Sequence, residues 1–235
     1  MSNGNLTRFQ QETGLIFKDR SLLLRAVTHP SYLNENPTRG LEDNQRLEFL
    51  GDAILDFLSG ELLYNRFPEA QEGRLTRLRA ALVRRETLAA FALECGLNRV
   101  LLLGHGEEEN HGREREGNLC NAFEALIGAL YLDQGIEAVR AFVNPMFERA
   151  LDEIIRLELD KDPKSQLQEY VQRHLGATPI YETVRSEGPD HAKVFTVAVV
   201  IGGRRYAEGV GTSKQMAAQE AARLALETLR SGVEE

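Results

Sequence analysis

Apolar residues recur at threes and fours through the first two thirds of the chain and switch to alternation only near its end. Residues 5–14 and 21–29 predict two short amphipathic helices separated by Gly14 and a turn at Asp19. Residues 28–40, rich in Pro, Asn and Gly, predict a loop. A long helix is predicted from about Gln45 to about Arg66, with Leu47, Leu50, Ile54, Leu55 and Leu58 on its apolar face and Pro68 ending it. Residues 72–97 read as one helix carrying five arginines between Arg74 and Arg85, and residues 104–118 as a Gly-broken, charged loop. A second buried helix is predicted over 118–135, where Leu119, Phe123, Leu126, Ile127 and Leu130 line up and Gly128 and Ala129 allow close packing. Residues 136–159 predict a helix broken or kinked near Pro145. No strand is expected in residues 1–159, which read as all-helical.

After a polar, Pro-containing hinge at 161–166 the period changes. Residues 165–175 are helical, Pro179–Ser186 and 193–201 have strand chemistry, and Gly202-Gly203 is a two-residue hairpin turn. Residues 204–211 return as a third strand, and 213–229 form a helix with Ser213 as its N-cap. The expected architecture is therefore two domains: an all-α domain over 1–159, a linker over 160–164, and an α-β-β-β-α domain over 165–232.

Charge modifies this picture. The net charge of −8 argues against a nucleic-acid partner. Residues 160–235, however, hold 10 Lys and Arg against 11 Asp and Glu, so the acidity belongs to the first domain. No apolar run approaches the ~20 residues of a membrane span, and the first residues lack the layout of a secretory signal. Cys95 and Cys120 form no CxxC pair, which argues against a disulfide framework or a zinc site and makes a reduced, cytoplasmic setting the expectation. His105 and His111 lie in the charged loop, where nothing fixes a ligand geometry.

Glu48 and Asp52 sit four residues apart within the long apolar helix, about 5–6 Å from each other on one face. Gly51 between them costs the helix roughly 1 kcal/mol relative to Ala. Such a helix gains either a close backbone approach or a bound cation; two solvated acids beside a packing glycine is the plainer alternative. Glu124 stands among apolar residues of the second helix, where an acid is expensive without a partner. Three oxygen donors on apolar helices point to a hard divalent cation such as Mg²⁺, which polarises phosphoryl oxygens and lowers the pKa of bound water. No Ser-His-Asp or Cys-His arrangement competes, and no GxxxxGK[ST] loop is present, so no nucleotide cofactor is expected. The residues alone suggest a metal-dependent phosphodiesterase. In the second domain, Lys214 at a helix start and the loop Gly188-Pro189-x-His191 suit a reader of duplex-RNA shape.

QRLEFLGDAIL, EGRLTRLRAALV, FEALIGALYLDQG and SKQMAAQEAA together resemble bacterial ribonuclease III, in that family's order and over nearly the whole chain. The resemblance implies an all-α endonuclease domain followed by a double-stranded-RNA-binding domain, and a Mg²⁺-dependent endoribonuclease, with Mn²⁺ as the alternative ion. It implies 5′-phosphate and 3′-hydroxyl ends with short 3′ overhangs, and the processing of ribosomal RNA precursors and other structured transcripts. It places metal-binding carboxylates at Glu48, Asp52 and Glu124, with Asp52 and Glu124 catalytic. It further implies a homodimer joined through the LEFLGDAIL helix, with Phe49 at the two-fold axis, the alternative for Phe49 being core packing within one subunit. Gln168, Gln172, His191, Lys214 and Gln219 match positions near the duplex.

Three positions depart from the family. Asn121 stands where the family usually has Asp, Gln45 where many members have Glu, and Gln215 where a second Lys is common. Asn121 offers a carbonyl oxygen without charge and is expected at the metal directly or through water, so a higher Mg²⁺ requirement is expected. A replacement acid from Glu114 or Glu116 is the less favoured alternative. These departures also support a second reading, a duplex-RNA-binding protein with weak or no cleavage; retention of three mutually repelling acids argues against it. A third reading, a phosphohydrolase of small nucleotides, leaves the second domain unexplained.

Overall fold

The computed structural model describes residues 3–37, 40–157, 163–189 and 193–231. The chain divides into two compact units, Met1–Asp160 and Lys161–Glu235. The first contains α1 (Asn3–Thr13), α2 (Arg20–Ala26), α3 (Pro30–Glu35), α4 (Gln45–Arg66), α5 (Glu72–Leu82), α6 (Arg85–Glu94), a 3₁₀ turn (Leu97–Arg99), α7 (His105–Glu109), α8 (Glu116–Gln134) and α9 (Ile136–Arg156). Helix α8 is its axis. Residues Ala122, Phe123, Ala125, Leu126, Ile127, Ala129 and Leu130 are wholly buried, as expected of a helix apolar on most sides. Helices α2, α4, α6 and α9 pack around it. Phe91 of α6 meets Phe123 of α8 with ring centroids 5.7 Å apart, and Phe147 of α9 lies 6.2 Å from Phe91. The one bridge in this unit, among the described residues, is the isolated parallel pair Thr28–Leu102.

Helix α4 keeps its expected limits, and four other segments differ. Residues 28–40 are not all loop: Pro30 opens α3, with its fixed φ suited to a first turn and the Ser31 N–H donating to His29 Nδ1 at 3.2 Å. The single helix expected over 72–97 is two, because Arg84 is extended (φ −66°, ψ 156°) and the Thr87 hydroxyl donates to the Ala81 carbonyl at 3.0 Å across the break. The charged loop 104–118 holds α7 and already enters α8 at Glu116. Helix α9 runs unbroken through Pro145, held by buried Val143, Met146, Phe147 and Leu151.

The second unit contains α10 (Pro163–Leu175), β1 (Ile180–Glu187), β2 (Val194–Ile201), β3 (Arg204–Gly211) and α11 (Lys214–Ser231). Helix α10 starts at Pro163, inside the stretch expected to be a hinge. The strands form one antiparallel sheet in the order β1-β2-β3. Gly202 and Gly203 both have positive φ (58° and 81°), the requirement of a type I′ turn, and join Ile201 to its partner Arg204. Val199 and Ile201 of β2 pack with Leu167 and Val171 of α10 and a row of alanines on α11. Ser213 caps α11 by accepting the Met216 N–H at 3.1 Å. Among the described residues no helix is long and apolar enough to cross a membrane.

Candidate functional site

The first unit's site is set by where two helices touch. Gly51 of α4 lies directly on the main chain of α8. A methyl group at Gly51 would overlap the Glu124 carbonyl oxygen and sit 2.6 Å from its carbonyl carbon. Reciprocally, a methyl at Gly128 would overlap the Leu47 carbonyl oxygen and lie 3.2 Å from the Gly51 nitrogen. The glycine between the two acids thus serves a backbone approach, and that approach brings Glu48 and Asp52 against Glu124.

The electrostatics follow from this contact. Burial pushes the Glu124 carboxyl up to about 7; the Cys120 thiol opposes the shift, Asp52 and Glu48 add to it, and Arg85 opposes it weakly. Glu48 is also raised, first by burial and then by Asp43 and Asp52. Asp52 is exposed and Glu48 half-buried. Among the described residues none of the three acids has an ion-pair partner within 4 Å. Asn121 is half-buried, one turn before Glu124 on the same helix. Gln45 is the exposed first residue of α4, its N–H donating to Asp43 Oδ1 at 3.1 Å. Glu114 and Glu116 are exposed ahead of Asn121.

The sequence reading overlooked two neighbours. The Cys120 thiol donates to Glu124 Oε1 at 3.4 Å, and burial with the nearby Glu124 charge pushes that thiol up to about 12. The signal is present in the sequence as an i, i+4 pair of Cys120 and Glu124. Arg85, at the start of α6, is the cation acting on both Glu124 and Cys120; periodicity does not separate it from the other four arginines.

Phe49 is not core. It is 81% exposed on α4. On the same helix, Leu50, Ala53, Ile54 and Phe57 line an open cleft of about 690 Å³ together with Tyr131, Leu132, Gly135 and Ile136. In the second unit, Gln168 and Gln172 are exposed on α10, away from buried Leu167 and Val171, and Lys214 is the exposed first residue of α11. Gln219 is half-buried, and its Oε1 accepts the Lys164 N–H at 3.2 Å, tying α11 to the start of α10. His191 lies outside the described residues.

A helical unit with a carboxylate cluster, followed by an α-β-β-β-α unit, is the plan of a nuclease joined to a duplex-RNA reader. Residues 19–151 match the Ribonuclease-III-like family and residues 163–229 the Double-stranded RNA binding motif. The chain is 47% identical over 223 residues to Ribonuclease 3 of Roseiflexus sp., covering 94% of each chain. It is 43% identical over 231 residues to Ribonuclease 3 of Carboxydothermus hydrogenoformans, covering 98% of each. The solved nuclease domain of ribonuclease III from Campylobacter jejuni matches with a TM-score of 0.56 and 38% identity, over 63% of this chain and 96% of that one. A second structure of that domain is described as flexible in the region involved in dimer formation. The chain belongs to the ribonuclease III family, and it is an endoribonuclease of double-stranded RNA.

The family implies a divalent cation, and the chemistry of the donor set suits one, although its spacing as it stands does not enclose one. The donors are hard oxygens that repel one another, and the Asp52 and Glu48 charges that help raise Glu124 favour an added positive charge beside it. Among the described residues no three His, Cys, Asp or Glu side chains converge closely enough to hold an ion as they stand.

Proposed function

We propose that the chain hydrolyses double-stranded RNA with Mg²⁺, held by Glu48, Asp52 and Glu124 with the Asn121 carbonyl oxygen as a neutral fourth donor. When bound, such an ion polarises the scissile phosphoryl oxygen and makes water a stronger nucleophile. The observation carrying this reading is Glu124, half-buried near two other acids and without an ion pair among the described residues. The chain's own residues have distinct tasks. Gly51 and Gly128 fix the spacing of the two acid-bearing helices. Glu124 and Asp52 face the reacting phosphate, and Arg85 offsets part of the site's negative charge. Lys214 and the exposed Gln168 and Gln172 hold the duplex by its backbone and minor-groove edge, in keeping with shape-based reading of RNA, and we assign His191 the same role.

The catalytic form is a homodimer. Exposed Phe49 on α4 and the neighbouring apolar cleft between α4 and the α8–α9 junction support a self-complementary two-fold interface, with Phe49 of each protomer entering the other's cleft. The duplex then lies between the subunits and each cuts one strand, leaving 5′-phosphate and 3′-hydroxyl ends with short 3′ overhangs. Cytoplasmic processing of ribosomal RNA precursors and other structured transcripts is the cellular role that follows. Asn121, Gln45 and Gln215 favour a second reading, duplex binding with weak cleavage. A labelled duplex of ~30 base pairs, longer than the ~16-base-pair footprint of such a reader, separates the two across a Mg²⁺ series. Discrete products with 5′-phosphates support the nuclease; binding without cleavage at any Mg²⁺ or Mn²⁺ concentration supports the second reading.

A further inference from the structure

Cys120 is buried, 7% exposed, one helical turn before Glu124 on α8. Its Sγ lies 3.4 Å from Glu124 Oε1, and this is the one hydrogen bond found for that carboxylate among the described residues. Elsewhere around Glu124 the helix offers Ala122, Phe123, Ala125 and Gly128, none with a side-chain donor, and Asn121, whose amide makes no hydrogen bond to Glu124 among the described residues. A half-buried carboxylate facing two other acids is pushed away from them by repulsion, so its orientation requires a restraint from its own side. The thiol supplies one that adds no charge.

We propose that Cys120 is a positioning residue for Glu124: its S–H donates to Oε1 and fixes the carboxylate, leaving Oε2 to the reaction. This rests on Glu124 belonging to the cation site, as proposed above. The competing role for a buried cysteine is that of a small hydrophobe, and two substitutions separate them. Cys120→Ser keeps a donor while losing apolar character; Cys120→Ala removes the donor.

The test uses the full chain and two readouts: Mg²⁺ and Mn²⁺ affinity of the RNA-free protein by calorimetry, and single-turnover cleavage of the ~30-base-pair duplex. Loss of a hydrogen bond that orients a metal-binding carboxylate lowers affinity or activity by about 10- to 100-fold; a thiol is a weak donor, so Cys120→Ala is expected near the lower end, ~10-fold. The cleavage rate constant should fall similarly, with duplex affinity in the absence of divalent ions unchanged, and Cys120→Ser should recover most of both losses. Wild-type behaviour of Cys120→Ala in both readouts overturns the positioning role. So does a Cys120→Ser variant as impaired as Cys120→Ala, with melting temperatures lowered together, since packing then explains both. A wild-type chain that neither binds the ion nor cuts overturns the cation-site reading itself, and the positioning role with it.

Discussion

Replacing Gly51 with alanine tests whether main-chain contact between α4 and α8 sets the site. Alanine is the better helix former by roughly 1 kcal/mol, so in open surroundings the substitution stabilises. Here the added carbon would overlap the Glu124 carbonyl oxygen and lie 2.6 Å from the carbonyl carbon. Carbon atoms pack best at about 3.5–4.0 Å, so the helices must part by on the order of 1 Å. The neighbouring atom is backbone, not the flexible end of a side chain, and overpacking of this kind costs about 1–3 kcal/mol or more. We expect a net destabilisation of about 2 kcal/mol after the propensity gain. Cleavage should fall further, since a displacement near 1 Å at the reacting groups costs on the order of 100-fold. Gly117→Ala on α8 is the control: nothing lies within 4 Å of the new carbon, and it should leave stability unchanged or raise it by about 0.5 kcal/mol. Thermal melts with hydrogen exchange of α4 and α8 amides give the stability arm, and single-turnover cleavage the other. A Gly51→Ala protein as stable and active as Gly117→Ala would refute the reasoning.

Three further outcomes are expected. Asn121→Asp restores a charged donor and should lower the Mg²⁺ concentration for half-maximal cleavage; an unchanged titration would place Asn121 outside the site. Phe49→Asp should sediment as a monomer at low micromolar concentration while keeping its helical circular dichroism, because the 81% exposed ring contributes little within one protomer; a variant that unfolds instead would mean the ring is core. Gln215→Lys should steepen the dependence of duplex binding on salt by about one phosphate contact, a change near 0.9 in the log–log slope; an unaltered slope would put residue 215 away from the duplex.

The elements legible in the sequence were those specified by many residues at once. Helix α4 shows its period over 22 residues and ends before Pro68, β2 is apolar at every position but Thr196, and the Gly202-Gly203 turn and Ser213 cap each have a chemistry that few other pairings satisfy. Helices α3 and α7, of six and five residues, are not legible because a turn or so carries no period. The opening of α3 depends on the His29 side chain accepting the Ser31 N–H, at a residue whose backbone N–H donates to the carbonyl of Leu102, distant in sequence. The break at Arg84 lies in backbone angles that Val and Arg adopt in either context. For the site, spacing revealed the Glu48–Asp52 pair and the anomaly of Gly51, but not that the atom beneath Gly51 belongs to Glu124. That contact joins residues 73 positions apart, and local pattern holds no record of it. Gln219 shows the reverse limit: it matches a duplex-facing position, yet its carbonyl oxygen is taken by the Lys164 N–H.

The most direct measurement is single-turnover cleavage and duplex affinity of the Glu124→Gln protein, side by side. Glutamine keeps the size and removes the charge that burial and two neighbouring acids have perturbed. The account predicts cleavage abolished at every Mg²⁺ concentration, with duplex affinity within about twofold of wild type, since Glu124 is not a cation that neutralises phosphates. Cleavage at the wild-type rate would remove Glu124 from the mechanism, and with it the carboxylate site on which this account rests.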